Sequence, residues 1–108
     1  MPKYLIEANY TAEGLKGLAK DKGSGRANAV SAAVAGLGGK VESFYFAFGD
    51  RDAVIIADMP DNVSCAALSL AASASGLVSC RTTPLLTPAE VDQALKVKHG
   101  YRAPGKKG

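Results

Sequence analysis

Hydrophobic and polar positions in this chain follow two rhythms. Between Val41 and Asp61, VESFYFAFGDRDAVIIADMPD, two apolar runs flank a polar turn, Gly49-Asp50-Arg51-Asp52. The first run, Val41 to Phe48, is aromatic; the second, Ala53 to Ala57, is aliphatic and largely β-branched. Runs this short, bounded by Gly, Asp and Pro, predict the two strands of a hairpin rather than helices. Lys3 to Tyr10 predicts another strand, with Tyr4, Ile6, Ala8 and Tyr10 on one face and Lys3, Leu5, Glu7 and Asn9 on the other. Leu77 to Leu86 predicts a fourth. Pro84 has no N–H to donate, which places that strand at a sheet edge or puts the proline at its end.

The helical rhythm fills the gaps. Thr11 is a good N-cap for a short helix that carries Leu15 and Leu18 to about Lys20. Asp21-Lys22-Gly23-Ser24-Gly25 then predicts a loop or a kink. A second segment, Arg26 to Leu37, sets Val30, Val34 and Leu37 on one narrow stripe, and Gly38-Gly39 ends it. A helix from Val63 to about Ser75 is capped by Asp61 or Asn62, and Val63, Ala67, Leu70 and Ala74 share a face expected to pack inward. Thr87-Pro88-Ala89-Glu90 has the N-cap, N1 and N3 residues of a strong helix start, leading to about Val97.

The resulting order, β-α-β-β-α-β with a C-terminal helix, is that of a ferredoxin-like α+β domain with an antiparallel sheet in the order 4-1-3-2. Right-handed crossovers put both main helices on one face. The other face is left uncovered by this chain, which makes it a docking surface or the floor of a pocket. Residues 1–98 are expected to form the domain and residues 99–108 a tail.

Composition sharpens this picture. With 108 residues and 47% hydrophobic content, much of it Ala, the chain forms one small domain whose core gains little area per residue. Covering the open face with a second copy would compensate, so a homodimer or higher homo-oligomer is expected. The net charge of +3 is a property of the tail. Five of the 13 basic residues (Lys96, Lys98, Arg102, Lys106, Lys107) lie there, leaving eight against all ten acidic residues in residues 1–95, a net of −2. A basic face with stacking aromatics is missing from the body, which argues against nucleic acid. The apolar stretch Cys65 to Ala74 falls well short of a span of about 20 residues, which argues against a membrane. Cys65 and Cys80 have no metal-ligand spacing and read as small buried hydrophobes. The opening MPKYLIE has no export pattern, so a cytoplasmic protein with reduced thiols is expected.

Several residues could carry chemistry, each with a plainer reading beside it. Asp50 and Asp52 can bond nearby backbone N–H groups in the turn, or they can line a pocket mouth with Arg51, whose planar fork suits a carboxylate or phosphate. Glu7 and Arg81 fall mid-strand on neighbouring strands and are expected to pair, either as a structural ion pair or as polar groups set in an apolar cleft. Tyr45 shares its face with Val41 and Ser43 by strand parity. His99 is the single histidine; it is solvated if the tail is free, and a candidate acid or base if the tail folds over a partner. With that one imidazole in the tail, haem is disfavoured, and no cofactor or metal is expected.

The stretch GRANAVSAAVAGLGGKVESFYFAFGDRDAVIIADMPDN, the later TTPLLTPAEVD and the closing GYRAPG resemble the GYD-domain family, over roughly residues 3 to 104. Gly49 and Asp52 match the family's hairpin signature in the form Gly-x-Tyr-Asp, with Arg51 standing where its Tyr would be. The resemblance implies a dimeric α/β-barrel, two ferredoxin-like sheets face to face, with no established reaction. Relatives by fold include cofactor-free monooxygenases, haem proteins similar to chlorite dismutase and ligand-sensing domains. A small-ligand-binding or interaction module is therefore the first expectation. The alternative is a cofactor-independent monooxygenase or isomerase acting on a small aromatic substrate in the sheet cleft. The ligand expected is small and anionic or aromatic, near Glu7, Tyr45, Asp50, Arg51, Asp52, Arg81 and His99.

Overall fold

β1, Lys3–Tyr10, alternates so strictly that its two faces have different fates. Tyr4, Ile6 and Ala8 are buried, while Lys3, Leu5, Glu7 and Asn9 between them are half-buried on the opposite side. The computed structural model describes residues 1–107 of the chain. After β1 come α1 (Ala12–Gly36), β2 (Lys40–Phe46), β3 (Ala53–Asp58), α2 (Asn62–Ala74), β4 (Val78–Leu85) and α3 (Pro88–Lys96). The strands form one four-stranded antiparallel sheet in the order β2-β3-β1-β4. β4 is an edge, which accommodates Pro84. No helix among the described residues is long and apolar enough to cross a membrane.

The core lies between the sheet and the helices. Ile6 of β1 faces Ile55 of β3, and Tyr4 faces Ala57. With Val34 of α1, Met59 and Cys65 of α2, these residues form the buried cluster. Val30, Leu37, Val41, Phe44 and Leu68 pack around it. The Tyr4 hydroxyl donates to the Asn62 side chain, and the Ser69 and Thr82 hydroxyls meet at 2.8 Å, tying α2 to β1 and β4. At the start of α1 the backbone comes so close to the α2–β4 loop that a Cβ on Gly14 would sit 1.9 Å from the Leu77 carbonyl oxygen.

α1 is two helical segments that meet at a kink at Lys22, inside the stretch where the sequence predicts a loop or a kink. Lys22 stands at φ 64°, ψ 169°, a conformation costly for a residue with a Cβ. Two further details differ from the sequence pattern. β2 ends at Phe46, not Phe48, and the Phe48 ring is fully exposed. A bulge between Val41 and Ser43 sets two residues of β2 against one of β3, so Val41 leaves the face of Tyr45 and joins the core.

The expected inner face of α2 is its outer one. Val63 and Leu70 are 79% and 70% exposed, and Ala67 and Ala74 are exposed beside them. Cys65, Leu68, Ser69 and Ala72 point inward instead. α2 is apolar almost all round, so periodicity offered two stripes and the Ser69–Thr82 contact marks the inner one.

Four groups hold their protons more tightly in the folded chain. Burial raises Tyr4, Cys65 and Cys80 above their ordinary values, the Ser73 hydroxyl offsetting part of the effect at Cys80. Lys3 is raised by its bond to Asp58 and then by Glu42. The unfolded chain gives up these protons first as pH rises, so the native state loses ground there. Stability from these groups is intact below the ordinary thiol value of 9.0 and declines as pH passes the ordinary phenol and ammonium values of 10.0 and 10.5. Asp61 and Glu90 act oppositely: helix N-terminal N–H groups lower them, so their contribution is lost as pH falls. Urea midpoints should be flat near neutrality and fall between pH 9 and 11; a midpoint unchanged to pH 11 would contradict these burial assignments.

Candidate functional site

The face of the sheet turned away from α1 and α2 has an apolar middle. Leu5 lies opposite Ile56, and Val54 lies between Glu7 on one side and Tyr45 on the other. These aliphatic side chains are half-buried, and Tyr45 is 70% exposed. At one end Lys3 stitches three strands together, its Nζ 2.9 Å from Asp58 and 3.0 Å from Glu42.

The other end is a cavity of about 270 Å³ lined by Glu7, Asn9, Arg51, Ser79, Cys80 and Arg81. Strand register brings most of them together: Glu7 lies opposite Arg81, Asn9 opposite Ser79, and Ala8 opposite Cys80. The Cys80 side chain points the other way by parity, toward the helices. Arg51 arrives from the β2–β3 hairpin and sets its Nε 3.7 Å from Glu7 Oε2, with both side chains about a quarter exposed. The Glu7–Arg81 ion pair expected from the sequence does not form. The two are cross-strand neighbours, but Arg51 takes the carboxylate and Arg81 is exposed.

Asp52 holds Arg51 in place. Its carboxylate accepts from the Tyr10 N–H at 2.9 Å, and its own N–H donates to the Asn9 side-chain oxygen at 3.1 Å and the Ala8 carbonyl at 3.0 Å. Its carbonyl accepts from the Ala47 N–H at 2.8 Å, closing the hairpin. The hairpin is thereby anchored to the end of β1, and Arg51 leans over the sheet. Asp50 is exposed at the tip, and its carbonyl accepts from Arg51 Nη1 at 3.3 Å. His99 lies beyond α3, outside the cavity lining, with its Nδ1 accepting from the Tyr101 N–H at 3.1 Å.

Of the residues singled out in the sequence, Glu7, Arg51 and Arg81 meet at the cavity. Asp52 supports it from behind, and Tyr45 sits across Val54 from Glu7. Asn9 and Ser79 were not candidates. Their parity with Glu7 and Arg81 is visible in the sequence, but the opposition that joins them is a matter of register. Chemically the cavity is a shallow polar cup with two guanidinium groups, one carboxylate and neutral donors. It carries one net positive charge and favours an anion.

A family model described as GYD domain matches residues 4–95, and the chain belongs to that family. No curated protein and no solved structure matches it.

Replacing Asp52 with Ala should leave the Tyr10 N–H without its partner, at a cost of about 1–3 kcal/mol. Urea denaturation should show the loss, and amide exchange at Tyr10 should accelerate with it. Exchange at Tyr10 as slow as in the native chain would contradict the anchoring role.

Proposed function

We propose that this GYD-domain chain is a small-ligand-binding module that works as a homodimer, with the open faces of two ferredoxin-like sheets turned toward each other. The observation that carries the reading is the cup of Glu7, Arg51 and Arg81 at the end of an uncovered apolar sheet face. Leu5, Val54 and Ile56 supply a floor that a second sheet would close, and a site is commonly apolar with a few convergent polar groups. The Phe48 and Tyr45 rings, both at the β2–β3 hairpin, are exposed and gain from a covering partner. Both thiols are free, which suits a reducing, cytoplasmic setting.

The ligand class follows from the charges. Arg51 uses Nε toward Glu7 at 3.7 Å and Nη1 toward the Asp50 carbonyl at 3.3 Å, which leaves its Nη2 end for a guest. Arg81 presents a second fork across the cup. A small carboxylate or phosphate fits two guanidinium groups better than a neutral molecule does. Glu7 is the single carboxylate in the lining, so the cup is suited to holding an anion with one acceptor left for a ligand hydroxyl or amine.

Thermal unfolding of the native chain and of Arg51→Tyr, which restores the family's residue, separates this cup from an ordinary turn. Small carboxylates and inorganic phosphate should raise the native midpoint with concentration, as ligands of the folded state do, and raise it less in the variant. Equal responses, or none to any anion, would remove Arg51 and the anion assignment.

A further inference from the structure

Between the sheet and the helices the core is not filled at one end. Ala8 of β1 lies opposite Ala53 of β3, two residues along from the Ile6–Ile55 pair, and two methyls occupy far less space than two isoleucines. Val30 of α1, Leu68 of α2 and Phe44 of β2 reach toward this place and remain half-buried. A chamber of about 70 Å³ is left beneath Val30 and Leu68, floored by Ile6, Ala8, Ala53 and Ile55. A larger cavity of about 270 Å³ adjoins it toward the start of α1, and Tyr10, Arg26, Ala72 and Val78 line both. Gly17 lines the outer cavity, and a Cβ there would meet nothing within 4 Å.

The kink in α1 stands where the two cavities join. Asp21 precedes it and Arg26 follows it, and their side chains approach across it, Oδ2 to Nη1, at 3.7 Å. Gly23, between them, lies against the Phe46 ring, which a Cβ there would approach to 3.2 Å. That ring packs edge-on against Phe44, 5.1 Å between centroids, and Phe44 walls the inner chamber. The polar groups are unevenly placed. The Ser69 hydroxyl is taken by Thr82, and Asp21 and Ser75 line the outer cavity alone. Arg26 is the one charged residue in both linings, and its side chain is 33% exposed. Asp21 meets it through one nitrogen, beyond hydrogen-bond reach, so Nε and Nη2 still point to no carboxylate.

We propose that this pair of cavities binds a small amphiphilic carboxylate, its head group at Arg26 and its apolar tail in the chamber over Ala8 and Ala53. The tail takes half-buried Val30, Phe44 and Leu68 out of water. The guanidinium fork suits a carboxylate, and a neutral guest covering Arg26 would desolvate a cation and give it no acceptor. Room for one water-sized group takes about 10–15 Å³, so the inner chamber holds the last few carbons of a straight chain and the outer cavity the rest. The sheet separates this site from the cup of Glu7, Arg51 and Arg81, and it does not depend on pairing of the open faces.

Octanoate is the probe, titrated into the full ¹³C,¹⁵N-labelled chain and followed by NMR. Nuclear Overhauser contacts from its terminal methyl should reach the Ile55 and Leu68 side chains. No contacts, or contacts with Leu5, Val54 and Ile56 on the open face, would overturn the proposal. Arg26→Gln should weaken octanoate about tenfold or more, the worth of a charged hydrogen bond, and leave 1-octanol unchanged. Octanoate held equally by both chains would overturn it, as would 1-octanol binding the native chain as tightly as octanoate. Ala72→Leu narrows the passage between the cavities and should abolish the methyl contacts; contacts that persist there count against the site. Arg51→Tyr, at the cup, should keep them, and their loss in that variant would move octanoate to the cup and overturn the assignment to Arg26.

Discussion

The pairing of β1 with β3 is the constraint on which the rest depends. Both strands have neighbours on each side, so their backbone groups are committed to the sheet and their side chains have only two directions to go. Tyr4, Ile6 and Ala8 with Ala53, Ile55 and Ala57 go toward the helices and make the core. Leu5, Glu7, Asn9, Val54 and Ile56 therefore go the other way, where this chain supplies no cover. Slipping the register by one residue would bury Glu7 and expose Ile6. The open face is thus a consequence of how the core is built, and the polar cup sits on it because Glu7 must.

Much of this was legible in the sequence because it rests on local chemistry. The alternation of KYLIEANY, the Thr-Pro-x-Glu helix start and the Gly-Asp-Arg-Asp turn each act within a few residues, and the elements formed where they point. The features that depart from the sequence pattern share a different cause. The inner face of α2 was ambiguous because Val63-Leu70 and Cys65-Leu68 are equally apolar, and only β4 above Ser69 decides between them. Val41 changed faces because of a bulge that no residue type announces. Glu7 was matched to Arg81 by strand adjacency, which is right for the backbone. A guanidinium reaching from a hairpin across the sheet end has no signature in sequence spacing.

Arg51 is the residue where scaffold and site meet. Asp52 ties the hairpin to Tyr10 and Asn9 whatever stands beside it, so position 51 can change without unmaking the turn. This chain has a fixed cation there. A cation there adds to the positive charge lining the cup and takes no part in the Asp52 bonds that anchor the hairpin. At the other end of the chain, α3 carries an apolar stripe that its own domain does not use, and α2 carries another. An Ala-rich core of this size gains from every apolar surface it can cover.

The open sheet face is proposed to be closed by a second copy. Hydroxyl-radical footprinting across a dilution series addresses it at the residues concerned. As concentration rises and the chain associates, labelling of Tyr45, Val54 and Ile56 should fall together, while Val30, on α1 against the core, keeps its rate. Labelling of Tyr45, Val54 and Ile56 that stays constant from dilute to concentrated solution would contradict the account.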